Sequence, residues 1–144
     1  MRTMDEIKAE LKKARQAQKA YRLAKDKFNA LRQDLIGGKS VRYGSDGSVH
    51  ESRGNPVENA YCMLADYETE KDKQLLEMMR AHKRAESMIR SVPDPIQREV
   101  LTRRYIIGQK WEDIAYVMNY NLRHVYKIHG AALHTMALNG TISL

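Results

Sequence analysis

An uninterrupted helical pattern near the start of the chain constrains the fold more than any other feature. Residues 3–36 contain neither proline nor glycine, and apolar residues recur among them at alternating spacings of three and four. Thr3 followed by Glu6 is the pattern of a capping box, and Gly37-Gly38 would end the helix. A single apolar stripe with a period near 3.5 residues is typical of a helix that packs against another helix. The stripe consists of Met4, Ile7, Leu11, Ala14, Ala17, Tyr21, Ala24, Phe28, Leu31 and Leu35.

A second apolar stripe later in the chain predicts a partner for this helix. Asn55 and Pro56 suit the cap and the first position of a helix that would run to about Ser91. Two helices of matching length predict a long antiparallel, coiled-coil-like hairpin over residues 1–92. Because a two-helix hairpin buries little apolar surface, we expect it to self-associate, as a dimer, or to pack on the rest of the chain.

The segment that joins the two stripes, residues 37–56, is rich in glycine, serine and asparagine. Its Gly-Ser-Asp-Gly sequence lies between short runs that favour strands, so a small β-hairpin is one interpretation. An irregular loop is the other, and the sequence does not choose between them.

Residues 93–144 predict a second domain of three shorter helices. The first helix would span Pro95–Ile107, with Asp94 as its cap and Gly108 as the residue that ends it. The second helix would be short, Trp111–Met118. The whole chain is therefore expected to be all-α, with a helical hairpin in front and a trihelical domain behind.

The connection between the second and third of these helices predicts a helix-turn-helix. Asn119 can adopt a positive φ at modest cost, and Asn121 is a natural N-cap for the third helix. Ala115 would lie where the two helices cross, and a larger side chain there would push them apart. Two helices that cross steeply around such a short turn form a helix-turn-helix. Candidates for the inner face of the third helix are Leu122, Val125, Ile128 or His129, Ala132, Leu133 and Met136.

The outward side of the third helix carries hydrogen-bond donors. Arg123, His124, Tyr126 and Lys127 suit base edges and phosphates in a major groove, although a merely solvated face is the alternative. Residues near helix N-termini are expected to contact phosphates, because exposed N–H groups there favour anions. The complete set of residues expected at a DNA interface is Lys110, Asn121, Leu122, Arg123, His124, Tyr126 and Lys127.

The last third of the chain resembles region four of the sigma-70 family. The Tyr105–Gly108 and Trp111–Ala115 segments look still closer to phage transcriptional regulators of the RinA and ArpU type, whose front half is helical. Lys110, Asn119 and Gly130-Ala131 depart from the sigma pattern. The residues that carry the resemblance are Arg98, Val100-Leu101, Arg104-Tyr105, Gly108, Asp113-Ile114-Ala115, Asn121, Val125 and Ala132-Leu133.

This resemblance implies a sequence-specific, DNA-binding transcription regulator, encoded by a phage and acting at promoters with host RNA polymerase. Double-stranded DNA is then the main partner. Two other functions remain open at this stage. A phage terminase small subunit also combines a helix-turn-helix with helical oligomerisation, and an RNA-polymerase- or sigma-binding interaction protein would lack DNA affinity.

Charge and composition agree with an intracellular, DNA-binding protein. The formal net charge is +7, and residues 1–36 hold ten basic and five acidic side chains. Those lysines either contact DNA or form a solvated face, and we favour the solvated face. Cys62 is the only cysteine, and no window approaches about 20 apolar residues, so we expect a cytoplasmic protein without a membrane span.

No arrangement of residues in the sequence indicates an enzyme, a cofactor or a metal. His124, His129 and His134 recur at spacings of five, which carries them around the helix and away from a shared metal. The Gly38-Lys39-Ser40 triplet follows a helix and lacks the upstream glycine of a phosphate-binding loop. We therefore expect a binding protein.

Overall fold

The computed structural model describes residues 2–36 and 55–142, and every regular element in these ranges is helical, which confirms the all-α part of the predicted fold class. A π-helical segment, Thr102–Ile107, continues directly from α3. The hairpin and loop interpretations of residues 37–56 lie outside the described residues, apart from Asn55 and Pro56. The helices are α1 (Met4–Ile36), α2 (Pro56–Arg90), α3 (Pro95–Leu101), α4 (Trp111–Met118) and α5 (Leu122–Ile142).

Local capping signals set where the long helices begin. The Thr3 N–H donates to Glu6 Oε2 at 3.1 Å, and the Glu6 N–H donates to Thr3 Oγ1 at 3.2 Å. The side chains of Asn55 and Asp94 accept hydrogen bonds from N–H groups in the first turns of α2 and α3. These caps satisfy backbone donors that have no partner inside their helix, so the predicted starting points are confirmed.

The helix that begins at Pro95 changes its winding halfway along. The N–H groups of Gly108 and Gln109 both donate to the Arg103 carbonyl, at 3.0 and 2.9 Å. Gly108 has φ 88°, a left-handed conformation that suits glycine and ends the helix. The extent of the helix matches the prediction, but its second half is π-helical, where a regular α-helix was expected.

The described chain divides into two compact units. The terminal unit comprises residues 1–19 and 77–144, and the middle unit comprises residues 20–76. Within the terminal unit, the start of α1 and the end of α2 share one core with α3, the π segment and α5, and the domain boundary after residue 92 stays a prediction. That core contains Ile7, Leu11, Ala14, Ala81, Ala85, Ile89, Val92, Leu101, Tyr105, Ala132, Leu133 and Met136.

Contacts between a cation and an aromatic ring join α1 to α2 within the middle unit. Lys27 Nζ lies 4.9 Å from the centre of the Tyr67 ring. Lys71, which interrupts the apolar stripe of α2, has its Nζ 4.4 Å from the centre of the Phe28 ring. Each contact places an ammonium group over the negative face of an aromatic ring, so Lys71 contributes to the packing of the two helices.

Candidate nucleic-acid interface

A small apolar cluster holds α4 against α5 in the terminal unit. Ala115 is 7% exposed, as expected for a residue at a close helix crossing. Of the two alternatives left open for the inner face of α5, His129 is buried, whereas Ile128 is half-buried and packs on this cluster. The buried members of the cluster are Val100, Ile114, Ala115 and Val125.

The turn between α4 and α5 is closed by backbone and side-chain hydrogen bonds. Asn119 has φ 60° and ψ 41°, so its predicted positive φ is confirmed. The Tyr120 N–H donates to the Ala115 carbonyl at 2.9 Å. Asn121 Oδ1 accepts from the His124 N–H at 2.7 Å, which makes Asn121 the cap of α5. The amide oxygen of Asn121 is thus committed to the helix start.

Four residues of α5 are predicted to face DNA, and we call them the reading face. The structure places all four at the surface. Arg123, His124 and Lys127 are exposed, and Tyr126 is 46% exposed. Val125, in the middle of this run, is fully buried and fixes the direction in which its neighbours point. The four donor side chains therefore project from a helix whose opposite side is anchored.

The remaining predicted interface residues differ in their surroundings. Leu122 is half-buried at the start of α5. Lys110 is exposed at the cap position of α4, and its side chain makes no capping hydrogen bond. Lys110 therefore extends from the start of a different helix than the other six residues.

An aromatic cluster connects the reading face to the helices beneath it. The ring of Tyr126 lies edge-on to Trp111, with centres 5.4 Å apart. Trp111 also lies edge-on to His129, at 4.7 Å, and Arg104 stacks on Trp111 with its guanidinium carbon 4.5 Å from the ring centre. Tyr126 is thereby held at an angle set by Trp111, which the sequence patterns did not predict.

A buried polar pair lies at the base of this cluster. The Tyr105 hydroxyl is 2.8 Å from His129 Nε2. Burial raises the pKa of Tyr105 to about 12. Burial, together with the positive charges of Lys8, Arg104 and Lys12, lowers the pKa of His129 to about 4. Both groups are therefore neutral at pH 7, and a single hydrogen bond joins the tyrosine hydroxyl to Nε2 of the neutral imidazole.

Helix α1 supports the site through side chains that bind backbone carbonyls. Arg15 Nη1 donates to the Gly108 carbonyl at 3.1 Å. Gln18 Nε2 donates to the carbonyls of Ile106 and Ile107 at 2.9 and 3.2 Å. These bonds satisfy acceptors at the end of the π segment, where the helix leaves its last carbonyls without internal partners.

Neither a metal site nor a membrane-spanning helix is found among the described residues. In residues 2–36 and 55–142 no three histidine, cysteine, aspartate or glutamate side chains converge as a metal site would require. Within the same ranges, no helix combines the length and the apolar character needed to cross a membrane.

Comparisons of the chain with protein-family models, with curated proteins and with solved structures gave no match. The resemblance to region four of the sigma-70 family therefore stays a prediction from the sequence.

Proposed function

We propose that this protein is a phage-encoded transcription regulator that binds specific sequences in double-stranded DNA. In this proposal α4, the turn at Asn119 and α5 act as a helix-turn-helix, and α5 enters the major groove. The observation that supports it best is the exposed start of α5, where four exposed donor side chains flank the buried Val125 in the sequence. An α-helix fits the major groove, where the pattern of donors and acceptors differs for each base pair.

The exposed side chains divide into those that read bases and those that bind phosphates. Arg123 can donate two parallel hydrogen bonds to a guanine, and Lys127 can bind either a base or a phosphate. His124 and Tyr126 offer further donors from the same helix. Lys110 and the start of α5 at Asn121 would bind phosphates, which fix the register of the protein on the duplex.

The middle unit supports the proposal that the protein functions as a dimer. Among its described residues only Ala24 and Ala60 are buried, so the unit has little core of its own. A unit whose own core is so small gains stability when its apolar side chains pack against another chain. A second copy would cover these side chains, and the resulting dimer could bind a pair of half-sites. The exposed apolar residues of this unit are Leu23, Ile36, Val57, Tyr61, Met63 and Leu76.

Helix α4 offers a separate surface for host RNA polymerase, the partner that the sigma-like resemblance implies. Tyr116 and Val117 are adjacent on α4 and are 88% and 49% exposed. Neither side chain is needed for the core beneath α4, which uses Ile114 and Ala115. We place the polymerase contact on this outer side of α4.

A gel shift over a series of salt concentrations tests the proposed function. The probe is a labelled duplex of random sequence, and the wild-type protein is expected to bind it with an affinity that falls steeply as salt rises. Each neutralised phosphate contributes a log–log slope of about −0.9. A protein without measurable DNA affinity at low salt would instead be an interaction protein, and the proposal would be wrong.

The mass of the protein in solution separates transcription from DNA packaging. A monomer or dimer agrees with a transcription regulator, and a dimer agrees also with the binding of paired half-sites. A closed ring of about eight or more subunits would indicate a terminase small subunit instead. Light scattering of the full chain at several protein concentrations gives this mass directly.

A further inference from the structure

A cation-lined groove lies beside α1 in the terminal unit. We call it the α1 groove, and its volume is about 370 Å³. None of the described residues that line it is acidic. Six of its lining residues carry the argument: Lys8, Lys12, Arg15, Lys19, Arg104 and Trp111.

The four α1 cations of the groove share one side of the helix. Positions 8, 12, 15 and 19 follow the i, i+4, i+7, i+11 pattern, so they fall within about 60° of one another around the axis. At a rise of 1.5 Å per residue, they extend along about 16 Å of helix. This row of positive charge is long enough to meet several neighbouring phosphates of a duplex.

The two arginines of the groove are held by contacts inside the protein. Arg15 is occupied by the carbonyls at the end of the π segment. Arg104 stacks on Trp111 and donates to the Gln109 carbonyl at 3.1 Å. These two arginines build the wall of the groove.

The lysines face outward from that wall. Lys12 and Lys19 are exposed, and Lys8 is half-buried. Their ammonium groups carry compact charges on flexible stems, which suit contacts to phosphates better than the reading of bases.

The groove is crowded with positive charge. Burial and the charge of Arg15 lower the pKa of Arg104, and Glu112 counteracts this only in part. Lys8 and Lys12 likewise lower the pKa of His129. Because like charges held close together repel each other, an anion placed in the groove would be stabilised by several cations at once.

The groove is also continuous with the reading face of α5. Successive contacts of 4.5 and 5.4 Å lead from Arg104 to Trp111 and from Trp111 to Tyr126. A duplex that meets Tyr126 would therefore pass close to the groove.

We infer that the α1 groove binds the phosphate backbone of the duplex that α5 reads, through Lys8, Lys12 and Lys19. This inference rests on the proposed DNA-binding function and adds a second contact surface, supplied by the N-terminal helix. The groove would add affinity on every sequence, because phosphates carry no direct sequence information. The preference for one sequence over another would stay with α5.

The test replaces Lys8, Lys12 and Lys19 with glutamine and measures the salt dependence of binding to the labelled random-sequence duplex. Three lost phosphate contacts should make the log–log slope shallower by about 2.7. The matched control replaces Lys25, Lys73 and Lys83, which are exposed and do not line the groove, and removes the same three charges. The control should leave the slope close to that of the wild type.

Melting temperatures show whether the triple variant is folded. If it is not, a double variant of the exposed Lys12 and Lys19 should make the slope shallower by about 1.8. An unchanged slope in the folded groove variant, or an equal change in both triple variants, overturns the groove inference. Neither result affects the proposed function, which fails only if the wild-type protein does not bind DNA.

Discussion

The Tyr105 hydroxyl lies 2.8 Å from His129 Nε2, and both side chains are buried between the π segment and α5. The pair joins two helices through residues that are separated by 24 positions in the sequence. Because burial favours the neutral imidazole, the contact between these helices depends on the protonation state of His129.

The stability of the fold should decrease in mild acid because of His129. Its pKa is about 4 in the folded protein, against 6.5 for an unperturbed histidine, so the unfolded chain binds the proton more readily. The contribution is complete above about pH 6.5 and is lost as the pH falls towards 4. We expect a loss of about 2 kcal/mol in the free energy of unfolding between pH 7 and pH 5, measured by urea denaturation.

Two variants assign this pH dependence to one residue. His129→Gln retains an acceptor for Tyr105 but does not titrate, so its stability should change less between pH 7 and pH 5. His134 is exposed on the same helix, and His134→Gln should keep the full pH dependence of the wild type. If the free energy of unfolding falls equally between pH 7 and pH 5 in the wild type and in both variants, His129 is not the titrating group.

The beginnings and ends of the helices could be predicted because their signals are local. Asp94, Asn55 and Asn119 cap or end helices through atoms within a few residues of their own position. The buried side of α5 was predicted almost completely from its spacing. The choice between Ile128 and His129 stayed open, because their directions on a helix differ by only about 100°.

Contacts between distant segments of the chain could not be predicted in this way. Arg15 binds carbonyls of residues about 90 positions away, and its sequence neighbours give no sign of that role. The π segment was missed because its sequence favours a helix without fixing its winding. The excess of positive charge in the first helix was visible in the sequence, but only the structure gathers Lys8, Lys12 and Lys19 into one groove.

Replacing Gly130 with alanine should stabilise the protein. A Cβ at this position meets no atom within 4 Å, so the substitution adds helix propensity without a clash. We expect the free energy of unfolding to rise by about 0.5–1 kcal/mol, as measured by urea denaturation. Ala131→Gly, at the exposed neighbouring position, should lower it by a similar amount. Destabilisation by Gly130→Ala would mean that α5 is not regular there.

A larger residue at the crossing of α4 and α5 should destabilise the terminal unit. Ala115 packs with Val100, Ile114 and Val125, so leucine at this position would force these side chains apart. We expect Ala115→Leu to cost about 1–3 kcal/mol in the free energy of unfolding. Val117→Leu, on the exposed side of α4, should change it by less than about 0.5 kcal/mol. Equal effects of the two substitutions would contradict a close crossing at Ala115.

Removing the guanidinium of Arg123 should weaken specific DNA binding and leave the fold intact. If Arg123 reads a guanine, Arg123→Ala should cost about 1–3 kcal/mol on a duplex selected by the wild-type protein. Its affinity for a shuffled duplex should change much less. Arg32→Ala, an exposed arginine of the middle unit, is the control with equal charge. A loss of equal size on both duplexes would make Arg123 a phosphate contact.

The most direct test is the affinity of the wild-type protein for a selected duplex relative to a shuffled one. The selected duplex comes from several rounds of binding to a randomised pool, and both dissociation constants are measured by fluorescence anisotropy at one salt concentration. A helix-turn-helix that reads bases through Arg123 and its neighbours predicts an enriched motif and a preference of about 10³-fold or more. A pool without an enriched motif, together with equal dissociation constants for the two duplexes, would contradict sequence-specific recognition by α5.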